Sequence, residues 1–259
     1  GCHALEILNA ARKQLLSNQG TEGETTEFRP GTIDEALADF TAELVSISTP
    51  GEYADIIAEQ ALQRGLHVFC FSDNVSIEHE KRLKEMAVTR DLLFMGPDCG
   101  TAIIDGTPLG FANQVDPGPV GIISASGTGA QEVSVLLDRA GIGISQLIGV
   151  GGRDLSADIG GSMTFHALDL LTNDEATECI VVISKPPAID VARTLIAKLR
   201  TSSKPVIACL LGMPDSDDDV VVRGTLEEGA LAAAVLLGHT IEIPAPPQTA
   251  SSLRLPTGV

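Results

Sequence analysis

Tryptophan is absent from this 259-residue chain, tyrosine occurs once, and aromatic residues make up 3% of it. The apolar 44% is dominated by Val, Ile, Leu and Ala, and Gly is frequent, which is the profile of parallel strands alternating with helices. Positive charge is scarce too: 17 Lys and Arg stand against 35 Asp and Glu, a formal net charge of −18 with no basic run. Nucleic-acid binding, which relies on Lys and Arg to neutralise phosphates, is not expected, nor is attraction to an anionic membrane. No apolar run reaches the roughly 18 residues of a membrane span, and no signal peptide is visible. The five cysteines form neither a CxxC pair nor a disulfide framework, so a reducing, cytoplasmic compartment is expected. Histidines 3, 67, 79, 166 and 239 are scattered and form no metal-spaced pair, and no metal is expected. An acidic surface can still hold an anion where local dipoles and a few cations outweigh the global field.

What is present is a regular alternation. The periodicity predicts an amphipathic helix over His3 to Leu16, a polar glycine-bearing linker, and a short helix over Ile33 to Phe40. Strands follow at Leu44 to Ser48, His67 to Phe71 and Leu92 to Met95, separated by helices near Tyr53 to Arg64 and Ile77 to Val88. Ala102 to Asn113 reads as two short strands around the Asp105-Gly106 turn, and the proline-bearing Gln114 to Pro119 as a domain boundary. Beyond it, strands at Val120 to Ser124, Ile144 to Val150, Cys179 to Ser184 and Val206 to Leu211 alternate with helices near Thr128 to Ala140, Met163 to Leu171, Ala188 to Leu199 and Thr225 to Leu237. The expectation is an α/β protein of two doubly wound domains, residues 1–116 and 117–242, with a Pro-, Ser- and Thr-rich tail over 243–259. Because the chain opens at Gly1 directly in a helical pattern, a fragment or processed form is expected.

The chain is organised around Gly121 to Glu132, GIISASGTGAQE. An apolar strand breaks at Ser124 into small residues and then enters a helix, where free N–H groups and hydroxyls favour an anion. It matches neither GxGxxG nor GxxxxGK[ST], and an ordinary capped strand-to-helix turn is the plain alternative. Ligands in open parallel sheets sit outside the carboxyl ends of strands. The loops there offer Ser124, Ser126, Gly127, Thr128, Gly151, Gly152 and Arg153 as candidate phosphate contacts, and Thr49, Pro50, Ser72, Asn74, Asp98 and Cys99 as candidate cofactor contacts. Two crevices facing each other across the boundary are expected. Arg153 either clamps an anion or forms a surface pair with Asp154; Lys185, in Lys185-Pro186-Pro187, either meets an anion or ends a strand. Both are candidate catalytic cations. Cys99 has no histidine near it in sequence, which argues against a nucleophile, and His166 reads as a helix histidine rather than a catalytic one. Asp215 to Asp219 lacks calcium-loop spacing and reads as a solvated acidic run.

Taken in order, MGPDCGT, LGFAN, VGIISASGTGAQE, GGRDLS and SKPP, with FSDNV before them, resemble the succinyl-CoA synthetase α-subunit superfamily, and most of all its FdrA branch of acyl-CoA synthetase-like proteins. The resemblance covers about Glu43 to Gly212. It implies a Rossmann-like CoA-binding domain followed by a flavodoxin-like ligase domain, with the Ser126-Gly127-Thr128 turn forming one side of a phosphate-handling site. CoA is then a possible ligand, and an acyl phosphate or carbamoyl phosphate the substrate. Other subunits, or a missing segment of the same chain, are the implied partners within an oligomer. The chain departs from the synthetases where their phosphohistidine lies. Gly212-Met213-Pro214-Asp215 stands there, the next histidine is His239, the supporting glutamate matches Lys185, and no glycine-rich CoA loop is present. A phosphohistidine relay is therefore not expected. Three functions stay open: acyl-CoA and acyl-phosphate interconversion, carbamoyl transfer from carbamoyl phosphate to oxamate in allantoin breakdown, and a non-catalytic scaffold subunit.

Overall fold

The computed structural model describes residues 30–39 and 41–240. The helix expected over His3 to Leu16, most of its linker and the tail from Pro244 lie outside the described residues. The chain divides into two compact units, Gly1–Thr41 and Ala42–Val259. In the first, helix α1 (Ile33–Asp39) opens on a reciprocal cap. There the Glu35 N–H donates to Thr32 Oγ1 at 3.2 Å, and the Glu35 carboxylate accepts from the Gly31 N–H at 2.7 Å.

The second unit holds two sheets. Strands β1 (Leu44–Ile47), β2 (His67–Cys70) and β3 (Phe94–Met95) form a parallel three-stranded sheet in that order. Helices α2 (Gly51–Gln63) and α3 (Ile77–Thr89) make the two crossovers. The larger sheet comprises β4 (Thr101–Ile104), β5 (Thr107–Gly110), β6 (Pro117–Ser124), β7 (Ile144–Gly149), β8 (Cys179–Ser184), β9 (Val206–Leu210), β10 (Ser216–Asp217) and β11 (Val221–Arg223). Its spatial order is β10-β11-β9-β8-β6-β7-β4-β5. From β11 through β7 the pairing is parallel, while β4, β5 and β10 are antiparallel to their neighbours. Helices α4 (Gly127–Arg139), α5 (Ser162–Asn173), α6 (Ile189–Leu199) and α7 (Leu226–Leu236) complete the βα alternation.

The period of two along the central strands explains why both faces are covered. Val120 and Ile122, Cys179, Val181 and Ile183, and Ile207 and Cys209 share one core with Val133, Leu136 and Leu137 of α4 and Ala230, Ala233 and Ala234 of α7. The intervening residues of β8 and β9 are equally buried, and α5 packs against β6 and β8. Such strands read as continuous apolar runs. That is why their positions were legible in the sequence.

Two details differ from the sequence reading. The hairpin β4–β5, placed with the first domain by its position before the prolines, instead extends the larger sheet: Ile103 of β4 is the register partner of Leu147 in β7. The acidic run at Asp215 to Asp219 is not a free loop. Its Ser216 and Asp217 pair with Val222 and Val221, and Asp217 and Asp219 form ion pairs with Arg223 and Arg200. Among the described residues no helix is long and apolar enough to cross a membrane.

Candidate functional site

The carboxyl ends of both sheets open on one cleft of about 350 Å³. Phe71, just past β2, and the turn from Asp98 to Thr101 line it from the first sheet and the link to the second; the larger sheet contributes Ser124 to Thr128, the glycines after β7, and Lys185 after β8. The two crevices expected from the loops are thus one cleft with an annex. The annex, of about 470 Å³, is lined by Ser48, Thr49, Pro50, Ser72 and Asp73, and shares Phe71 and Asp98 with the cleft.

At the cleft's floor, β6 passes into α4 through a locally wired turn. Ser124 Oγ donates to the Ser126 carbonyl at 2.7 Å and accepts from the Ser126 N–H at 3.0 Å. Ser126 is the N-cap, its Oγ accepting from the Gly129 N–H at 3.3 Å. The N–H groups of Gly127 and Thr128 point out of this wiring without a partner among the described residues. Two donors and the positive end of a 13-residue helix therefore face an exposed, small-residue rim.

The glycine loop after β7 approaches the turn after β3 closely. Gly151 has φ +85°, and a Cβ there would lie 2.6 Å from the Pro97 carbonyl, so only glycine lets the two loops meet. Lys185 is exposed at the rim and is the one cation among the described lining residues; Asp98 is the one anion.

The structure separates the other candidates. Arg153 does not face the cleft. Its Nη2 donates to the Val75 carbonyl at 2.8 Å and pairs with Glu80 Oε2 at 2.8 Å, so its guanidinium is committed to α3. Its neighbour Asp154 is not a surface partner either. Asp154 is fully buried, accepts from Lys84 Nζ at 2.8 Å, and caps α5 through the Thr164 N–H at 2.9 Å and Thr164 Oγ1 at 2.6 Å. Lys84, also fully buried, uses its three N–H bonds on Glu80 Oε1 at 2.8 Å, the Val150 carbonyl at 2.9 Å and Asp154. Two cations and two anions close a neutral quartet that ties α3 to the loop bordering the cleft. The sequence reading missed it; the signal was Glu80 and Lys84 at i, i+4 on the stripe of α3 that also carries Leu83 and Ala87.

Among the cofactor candidates, Thr49, Pro50 and Ser72 line the annex, Asp98 lines both spaces, and Cys99 lines the cleft. Ser72 is committed through its hydroxyl, which donates to the Thr49 carbonyl. Thr49 Oγ1 is buried without a hydrogen-bond partner among the described residues. Asn74 lines neither space and donates to Asp73 Oδ1 at 2.7 Å. Cys99 is 3% exposed, and burial pushes its thiol up to about 12, which removes it as a nucleophile near neutral pH. His166 stands elsewhere, on α5, with Nε2 3.8 Å from Asp91. No three His, Cys, Asp or Glu side chains converge as a metal site among the described residues.

A family model described as CoA binding domain matches residues 115–210, which fall on the larger sheet. The protein called Uncharacterized protein YahF of Escherichia coli strain K12 is 47% identical over 228 residues, covering 86% of this chain and 44% of that protein. The α2 subunit of the ADP-forming succinate–CoA ligase of Archaeoglobus fulgidus is 27% identical over 219 residues, 82% of this chain and 74% of that subunit. A dinucleotide-forming acetyl-coenzyme A synthetase 1 from Ca. Korarchaeum cryptofilum, in its apo form, superposes with a TM-score of 0.62 at 17% identity, over 83% of this chain and 52% of that one. This last likeness shows the fold. The chain is therefore homologous to the α subunits of succinate–CoA ligases and carries a CoA-binding-type, Rossmann-like α/β architecture. It spans less than half the length of the YahF protein.

Proposed function

We propose that this chain is an FdrA-like, α-subunit-type component of a nucleoside-diphosphate-forming acyl-CoA ligase system, and that its cleft binds an acyl phosphate. The observation that carries the reading is the convergence of the α4 N-terminus, the Gly151-Gly152 loop and Lys185 on one cleft. In this reading the N–H groups of Gly127 and Thr128 receive the phosphoryl oxygens, Lys185 offsets the developing charge on the phosphate, and Thr49 and Asp98 of the annex meet CoA. Arg153 acts indirectly, by holding α3. A Rossmann-like first domain and a flavodoxin-like second domain belong to the same proposal, with β4 and β5 assigned to the second. So do partner subunits and a cytoplasmic setting.

Carbamoyl transfer is the second reading, favoured by the absence of histidine among the described residues that line the cleft. A carbamoyl group can pass from carbamoyl phosphate to an amide nitrogen without a phosphohistidine. The test is the thermal midpoint of the chain with CoA, acetyl phosphate and carbamoyl phosphate in matched salt. A ligand at about 100 times its dissociation constant stabilises by roughly 2.7 kcal/mol. At about 2–4 °C per kcal/mol that is a shift of roughly 5–10 °C. A shift with acetyl phosphate that Lys185→Ala abolishes is the expected result. A shift confined to carbamoyl phosphate selects the second reading, and none with any of the three leaves a scaffold.

A further inference from the structure

Two phenylalanines form part of the cleft wall. Phe71 follows β2 of the first sheet and Phe111 follows β5 of the larger one; their rings meet edge to face with centroids 5.3 Å apart at 74°. Phe111 is 66% exposed, yet its backbone is pinned on both sides. Its N–H donates to the Gly100 carbonyl at 2.7 Å, and its carbonyl accepts from Gln131 Nε2 of α4 at 2.7 Å. Gly110 just before it has φ +63°, and a Cβ there would lie 2.4 Å from the Gly100 carbonyl. An exposed aromatic ring on a rigid support, in a chain with seven phenylalanines, is a prepared surface rather than a stray one.

Gln131 lies one helical turn from Gly127 and Thr128, so the helix that presents the free N–H groups also holds the Phe111 backbone in place, and both line the one cleft. The charges on the lining are one cation, Lys185, and one anion, Asp98. A phosphoryl group at the helix start would occupy the cation. A second carboxylate on the ligand would meet two phenyl rings and Asp98, and no further cation among the described lining residues.

We propose that the acyl group accepted here is uncharged and apolar, packed on the Phe71–Phe111 pair, and that dicarboxylate-derived acyl groups are excluded by Asp98 and the rings. This rests on the acyl-phosphate reading of the cleft. The test is calorimetric titration of the full chain with stable phosphonates: methylphosphonate, benzylphosphonate and phosphonoacetate. Benzylphosphonate should bind at least about tenfold tighter than methylphosphonate, and phosphonoacetate no tighter than methylphosphonate. Phe111→Ala should bring the benzyl-to-methyl ratio to within about twofold of unity. Asp98→Asn should tighten phosphonoacetate relative to methylphosphonate. Equal binding of the benzyl and methyl compounds, a ratio unmoved by Phe111→Ala, or phosphonoacetate as the tightest ligand would overturn the inference while the anion site stands. If none of the three binds, the anion site itself falls, and the inference with it.

Discussion

An ammonium group with no access to water is tolerable only when each of its protons has an acceptor, and Lys84 meets that condition through Glu80, Val150 and Asp154. Removing the amine leaves buried Asp154 without a counter-charge and Glu80 with Arg153 alone. Lys84→Met is expected to lower unfolding free energy by about 3–5 kcal/mol, read from urea titration. Arg153→Ala, at the partly exposed edge of the quartet, should cost less because Glu80 keeps Lys84. Equal losses for the two variants would refute this ordering. The thiols behave differently because they are buried neutral. Burial raises Cys70 to about 11 and Cys99, Cys179 and Cys209 to about 12. Their folded values lie above the ordinary 9.0, so the stability they lend is complete below pH 9 and is lost as pH climbs toward 12. In native protein at pH 8, peptide mapping after iodoacetamide should find these four unmodified, and all four modified in denaturant.

Elements carry a second titration. His67 opens β2, and its Nδ1 accepts the Leu93 N–H at 2.9 Å, joining the strand to the segment that leads into β3. An accepting Nδ1 requires the neutral ring, and burial lowers the value of His67 from the ordinary 6.5. The sign follows from that direction: the contribution is present above pH 6.5 and is lost as acidification charges the unfolded chain first. The protection factor of the Leu93 amide, its exchange slowed relative to the intrinsic rate at the same pH, should therefore fall below pH 6.5, and a protection factor that does not fall on acidification would contradict the assignment. At this scale the sequence was most readable. Buried parallel strands such as Cys179–Ser184 are unbroken apolar runs with little else they could be. Sheet membership of β4 and β5 was not readable, because a hairpin's alternation says which residues pair within it and nothing of which neighbour it joins. The cleft's backbone was visible in Ser126-Gly127-Thr128 and Gly151-Gly152, since glycine and hydroxyl spacing is local. The direction of Arg153 was not, because its partner Glu80 lies on another element, where only tertiary packing could bring it.

For the whole molecule the governing quantity is the formal charge of −18. An anionic ligand approaches against that field and is rewarded only within reach of Lys185 and the α4 N-terminus. Its association rate should rise when ionic strength goes from about 10 mM to about 150 mM, as the Debye length falls from roughly 30 Å to roughly 8 Å. Stopped-flow measurements with benzylphosphonate would show this, and a rate that falls with salt would mean that local cations dominate the approach. The quartet around Lys84 also has a consequence in time. Synthesis delivers α3 to the mouth of the ribosome 70 residues ahead of Asp154. Until that aspartate and the glycine loop emerge, the amine has only Glu80 and water as partners, and the nascent first sheet has a helix it cannot finally bury. The order of translation makes the last contact of the small sheet a gift of the large one.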